Sequence, residues 1–230
     1  MRFDLHVHSC YSKDSSADID SILMHAEKNG LDGIAVCDHD TIEGGIACAK
    51  RAKELGTDLI VIPGIEVMSS KGHILVIGIN ENIGPHLSPE KTIERARELG
   101  GVVIIPHPFK LTSHGIGYVE GLDIDAVETL NSRCLDDRPN RKAKKAAESL
   151  NLPQVGGSDA HTPPMVGQAY TDIDIEDNTV DVNAILMAIR QGKVRAGGEK
   201  TPTAFVIKQM IVGFGKKIIR IFKIKLKFGT

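Results

Sequence analysis

The stretch DLHVH at residues 4–8 sets two imidazoles, His6 and His8, one residue apart. In an extended segment residues i and i+2 point the same way. The pair can therefore present two nitrogens to one ion, with Asp4 behind them as an outer partner. The theme recurs along the chain: His39 in CDHD, Glu66 in PGIEV, His73 in GHILV, His107 in IPHPF, Asp159 and His161 in GGSDAH. Asp14 and Asp38 add carboxylates beside the first two groups. Imidazole with carboxylate, and no CxxC pair, suits zinc, manganese or iron. Clustered divalent ions lower the pKa of bound water and neutralise charge on phosphoryl oxygens. The same cluster can polarise an acyl carbonyl, as in an amidohydrolase. Any one of these histidines taken singly reads as an ordinary core or surface residue; six of them, with their acids, do not. His25, His86 and His114 fall in expected helix or loop and read as structural.

Short apolar runs must position these groups. Strands are expected at Arg2–Val7, Leu31–Cys37, Asp58–Val67 (broken at Pro63-Gly64), His73–Ile79, Val102–Pro106, Ala126–Leu130 and Gln154–Gly156. Helices are expected over Ile19–Asn29 with Gly30 as its stop, from Thr41 to Leu55 with Gly56 as its stop, and over Pro89–Leu99, Arg138–Leu150 and Val182–Gln191. Strand and helix alternate at roughly the spacing of a βα unit. Continuous apolar strands indicate a sheet covered on both faces, hence a parallel α/β architecture, closed or open. In such folds the C-terminal strand ends converge on one face. Six of the nine histidines fall at strand termini, so residues distant in sequence would meet there.

A chain of 230 residues can bury a full core without disulfides. Cys10, Cys37, Cys48 and Cys134 form no disulfide or zinc-finger framework, and are expected to be reduced in a cytoplasmic protein. No signal peptide and no apolar run of ~18–20 residues is evident. A net charge of −2 favours neither nucleic acid nor membrane in bulk. The exception is residues 206–230, with seven cations (Lys208, Lys216, Lys217, Arg220, Lys223, Lys225, Lys227) and no acid. This segment either packs an apolar side on the domain or offers a patch to RNA or anionic lipid.

The ordered set DLHVHSCYSKDS, CDHDT, PGIEV, GHILVIG, IPHPF, ETLNSR and GGSDAH resembles the PHP (polymerase and histidinol phosphatase) family, over about residues 1–195. The chain looks most similar to its small stand-alone phosphoesterases. The resemblance implies a distorted seven-stranded (β/α) TIM-like barrel, taken as one domain over 1–205 with the basic segment 206–230 packed on it. It implies two to three divalent ions: His6, His8 and Asp159 on the first, His73 and His107 on the second, Glu66 bridging these, and Asp14, His39 and His161 on the third. Some members place the acid five residues after the second His; Lys13 stands there in this chain, so Asp14 is taken, with Asp18 as the substitute. Glu66, Asp159 and His161 are the residues assigned to catalysis.

The expected reaction is hydrolysis of a phosphate ester by metal-activated hydroxide. The expected substrate is a nucleotide, a 3′,5′-bisphosphonucleotide or the 5′ end of a short RNA. Histidinol phosphate is the alternative substrate, and a non-catalytic module binding nucleic acid or a partner the alternative of another class. Arg133, after ETLNS, could grip a phosphate bidentately. Arg138 and Asn140 open the next helix, whose N-terminus favours anions. Lys110 is a weaker candidate. Asp38 and Asp40 read as caps for the helix near Thr41, or as outer partners of the centre. Gly156-Gly157 would let the backbone come close to the ions.

Overall fold

The computed structural model describes residues 1–111, 114–175, 180–207 and 209. The expected basic patch, Lys208 and everything past Gln209, lies outside them. Nine strands form one sheet: β1 (Arg2–Val7), β2 (Gly33–His39), β3 (Ile60–Met68), β4 (His73–Ile77), β5 (Val102–Ile105), β6 (Ala126–Asn131), β7 (Gln154–Gly157), β8 (Ala169–Ile173) and β9 (Val194–Gly198). Their order is β7-β6-β5-β4-β3-β2-β1-β8-β9. Beyond β7 the chain bridges back to β1: His8 N–H donates to Ala160 O at 2.9 Å, and Val7 pairs with Ala160. Gly156 N–H donates to Thr171 Oγ1 of β8 at 3.0 Å. The sheet is thus a nearly closed barrel.

Two expectations are corrected. The sheet has nine strands among the described residues, not seven, because β8 and β9 carry no apolar run to announce them (AYTDI, VRAGG). It is also mixed rather than parallel. Parallel ladders join β1–β2–β3 and β5–β6–β7, whereas β4 runs antiparallel to β3 and β5, and β8 to β1 and β9. Only residues 69–72 separate β3 from β4, too few for a crossover, so the connection must be a hairpin. The reversal brings His73, at the start of β4, to the end of the sheet where β3 finishes: Met68 pairs with His73.

Helices α1 (Ile19–Lys28), α2 (Glu43–Leu55), α3 (Pro89–Glu98), α4 (Arg138–Ser149) and α5 (Val182–Arg190) cover the barrel. Asp18 caps α1 by accepting from Ser21 N–H at 2.9 Å, and Gly56 ends α2 at φ 65°. Ile22, Leu23 and Ala26 of α1 pack with Val7, Ile34, Val36 and Val61 of the first three strands. Ile185, Leu186 and Ile189 of α5 join Phe3, Leu5, Ala35, Ile62, Leu75 and Ile104 in a second cluster. No helix among the described residues is long and apolar enough to cross a membrane.

Candidate metal centre

Glu66, near the end of β3 and 1% exposed, lies at the middle of the histidines. Its Oε1 is 2.7 Å from His73 Nδ1, 3.1 Å from His107 Nε2 and 3.5 Å from His6 Nε2. Its Oε2 is 3.0 Å from His39 Nδ1 and 3.4 Å from His8 Nε2. Burial pushes its carboxyl up, but His73, His6 and His39 outweigh this and hold it well below the usual range. Asp159 Oδ1 is 3.5 Å from His8 Nε2 and 4.0 Å from His6 Nε2. Burial raises Asp159 too, while Lys110, Arg133 and His6 hold it well below. Asp14 reaches His161 at 3.3 Å and His39 at 3.6 Å. Asp18 is instead the cap of α1, so the structure brings Asp14 and not Asp18 to this pair. All nine sequence-derived donors therefore meet, from the ends of β1, β2, β3, β5 and β7 and the start of β4.

The backbone is bent to achieve this. His107 at φ 29° and Asp159 at φ 52° both sit in the left-handed region, which costs a non-glycine residue about 1–2 kcal/mol. Two donors at unfavourable φ are the sort of strain that collects at functional sites.

Outer partners set the imidazoles. His6 Nδ1 donates to Glu128 Oε1 at 3.0 Å, which turns Nε2 toward the centre. His8 Nδ1 meets Ser12 Oγ at 3.2 Å, and Ser12 Oγ donates to Asp38 Oδ1 at 2.6 Å. That makes Ser12 an acceptor for His8, so His8 Nε2 is left bare. The two Nε2 atoms face one another at 3.1 Å; burial opposes charge on His6, but Glu128, Glu66 and Asp159 outweigh it, so the metal-free ring carries a bridging proton that a divalent ion would displace. His73 Nδ1 is close to Glu66 without hydrogen-bond alignment, and His107 Nδ1 is buried with no partner among the described residues. The orphaned His73 Nδ1, which faces the Glu66 carboxylate, is what a divalent ion would satisfy, while His107 turns its other nitrogen, Nε2, to Glu66. Among the described residues four groups have donor atoms mutually within 4.8 Å: His6–His8–Asp159, His6–Glu66–His107, His39–Glu66–His73 and His8–His39–His161.

Asp38 does not cap α2. It accepts from Ser9 N–H and Oγ and from Ser12 N–H and Oγ, fixing the loop that follows β1. Asp40, at φ 55°, accepts from Met68 N–H at 2.8 Å and ties β2 to β3. Asp4 accepts from His6, Ser158 and Gly167 N–H, which locks β1 to the residues around Asp159. Glu128 is the partner that sequence reasoning misses. Its other oxygen accepts from His107 N–H at 2.8 Å and Asn131 Nδ2 at 2.9 Å. In ETLN it is one polar residue in a strand, with no local signal of a partner 122 residues away.

Of the substrate candidates, Arg133 Nη1 reaches Asp159 Oδ1 at 3.5 Å and His161 Nε2 at 3.4 Å. Lys110 Nζ meets Asp159 Oδ2 at 2.9 Å. Arg138 and Asn140 are not brought to the centre. Arg138 is exposed and folded onto Asp136 at 3.0 and 2.9 Å. Asn140 is buried and spends both ends of its amide on the Asn131 backbone, at 3.2 and 3.0 Å.

A nearly closed β/α barrel with a buried cluster of imidazoles and carboxylates at one end of its strands suits a metal-dependent hydrolase. The PHP-domain model matches residues 4–114 and the PHP-associated model residues 137–194. The chain is 38% identical over 143 residues to an uncharacterized protein of Methanocaldococcus jannaschii, covering 57% of this chain and 82% of that one. It belongs to the PHP family. Shorter matches are a phosphoribosyl 1,2-cyclic phosphate 1,2-diphosphodiesterase of Eggerthella lenta, 37% identical over 84 residues (34% of this chain, 31% of that one), and a 5′-3′ exoribonuclease of Haemophilus influenzae, 36% identical over 81 residues (34% and 28%). The fold matches a two-domain protein of Bacteroides vulgatus described as containing a predicted PHP-like metal-dependent phosphoesterase, with TM-score 0.68 at 18% identity, over 86% of this chain and 65% of that one.

Proposed function

We propose that the chain hydrolyses a phosphate ester of a nucleotide, either a 3′,5′-bisphosphonucleotide or the 5′ end of a short RNA. The observation that carries this reading is the meeting of Lys110 and Arg133 on Asp159, itself one of the nine donors. Two cations from separate loops suit an anionic phosphoryl group and a second phosphate better than an imidazolyl amine. The names of the Eggerthella and Haemophilus relatives, which act on phosphoribosyl and RNA substrates, point the same way.

In this reading His6, His8 and Asp159 would hold one ion, His73, His107 and Glu66 a second, and Asp14, His39 and His161 a third. Mn, Zn and Fe suit the donors. Such ions supply a water of lowered pKa and charge neutralisation at phosphorus. The chain's own residues do the rest. Glu128 and the Ser12–Asp38 pair hold two imidazoles in the tautomer that faces the centre. Glu66, Asp159 and His161 are the residues at which the reacting phosphate is handled. His39 and Asp14, 27% and 47% exposed in their side chains, open the centre to solvent on one side. Lys110 and Arg133 bind phosphoryl oxygens.

The test is phosphate release by Mn-loaded protein from 3′,5′-bisphosphoadenosine, a 5′-phosphorylated short RNA and histidinol phosphate in parallel, with Glu66→Gln as control. Turnover on either nucleotide substrate, lost in the control, supports the reading. Turnover on histidinol phosphate alone transfers the chain to that substrate. Silence on all three with ions bound favours a non-catalytic binding module.

A further inference from the structure

The family models end at residue 194, yet the chain beyond them returns to the centre. Glu199 N–H donates to Gln168 O at 2.7 Å, and Lys200 Nζ pairs with Asp137 at 2.9 Å. Thr201 N–H donates to Ser132 O at 2.8 Å. Ser132 Oγ donates to Ser158 O at 2.8 Å, so in the 3.0 Å contact with Thr201 Oγ1 it accepts. The segment is thus stitched to the residue beside Arg133. Val206, 1% exposed, anchors the next turn. From there Gln209, also buried, accepts from Arg133 Nε at 3.1 Å through Oε1.

Arg133 is held at two further points: its N–H donates to Asn131 Oδ1 at 3.1 Å, and its Nη1 faces Asp159 and His161. With Nε engaged by Gln209, the plane of the guanidinium is set. Its Nη2 makes no hydrogen bond among the described residues. A long side chain so fixed loses little rotamer entropy when it meets an anion. We propose that Gln209 is a positioning residue that orients the Arg133 guanidinium to receive a phosphoryl group. This rests on the phosphate-ester reading above, but the placement of Arg133 is measurable without it.

The experiment uses the full chain and two readouts. Gln209→Met keeps the buried volume and removes the acceptor; Gln209→Glu restores an acceptor. In the first readout, phenylglyoxal labelling of Arg133 in metal-free protein is followed by peptide mass spectrometry. Labelling is expected about threefold or more faster in Q209M than in wild type at unchanged melting temperature, and near the wild-type rate in Q209E. In the second, with Mn and 3′,5′-bisphosphoadenosine, Q209M raises KM about threefold or more while kcat stays within about twofold. Q209N, which withdraws the acceptor by one methylene, gives the same readouts should Q209M fail to fold. Unchanged Arg133 labelling in a folded variant overturns the proposal, as does a loss of kcat at unchanged KM. If wild type hydrolyses no phosphate ester but Q209M still accelerates labelling, Gln209 positions Arg133 and the substrate reading alone falls.

Discussion

His6 of β1 and Glu128 of β6 are joined by a 3.0 Å hydrogen bond between strands far apart in the sheet order. The same carboxylate holds the backbone of His107. One buried acid thus sets a ring orientation on one side of the centre and a main-chain position on the other. Glu128→Ala is expected to weaken Mn or Zn binding by about 10–100-fold, the usual effect of losing an outer partner of a ligating histidine. Competition titration against a chelator measures it. Wild-type affinity in a folded E128A would show that His6 keeps its orientation without Glu128.

Glu66 touches His6, His8, His39, His73 and His107. Glu66→Gln replaces a carboxylate that faces all five with a neutral amide that must aim a donor at some of them. Turnover of a phosphate ester should fall by about a hundredfold or more, at least the loss an outer partner would bring. Near-normal turnover in the steady state would remove Glu66 from its central role.

Metal-free protein should lose stability in alkali through His39. Burial lowers its pKa, but Glu66 and Asp14 outweigh burial and raise it from 6.5 to about 10. A raised folded pKa gives stability that is fully present below the unfolded value of 6.5 and lost as pH rises through about 10. Melting temperatures of EDTA-treated protein at pH 6, 8 and 10 should therefore decline, and His39→Gln should flatten the decline. Ion binding must displace this proton, so affinity for Mn should rise with pH across the same window. Parallel pH profiles for H39Q and wild type would count against the assignment.

Arg138 and Asn140 separate binding from stability. Arg138→Ala should change KM by less than about twofold and leave the melting temperature unchanged, because its ion pair with Asp136 is exposed. Asn140→Ala strips partners from the buried Asn131 N–H and C=O and should cost about 1–3 kcal/mol in urea unfolding. A raised KM in an R138A variant of wild-type stability would return Arg138 to the substrate site.

Gly157 lets two strands approach. A Cβ there would lie 2.5 Å from His6 Cβ and 2.6 Å from Glu128 Oε1. Gly157→Ala must push apart the His6–Glu128 pair, at about 1–3 kcal/mol of overpacking. Denaturant unfolding and Mn titration should both shift. An unaltered Mn affinity would mean the pair tolerates the displacement.

The donor set is legible in the sequence because its residue types are conspicuous where they stand. Imidazoles and carboxylates at the ends of apolar runs have no packing reason to be there, and the i, i+2 rule already pairs His6 with His8. Five helices follow from their periodicity and caps. The direction of β4 is also written in the sequence, in the four residues that precede it, although alternation of elements suggests a parallel strand. Three things needed the folded chain. Glu128, Asp38 and Gln209 act through partners 122, 26 to 29 and 76 residues away, and only the packing of strands and loops in the folded chain makes those neighbours. Arg138 and Asn140 share a helix start, yet one points to solvent and the other is consumed by Asn131, a difference of rotamer and burial that helix periodicity does not encode. The choice of Asp14 over Asp18 depended on which carboxylate the loop after β1 leaves for His39 and His161, once Asp18 is committed to the first turn of α1. Residue type fixes which chemistry is available; chain closure in three dimensions decides which side chains are left to perform it, because hydrogen bonds and charge act over a few ångströms of space and not over sequence distance.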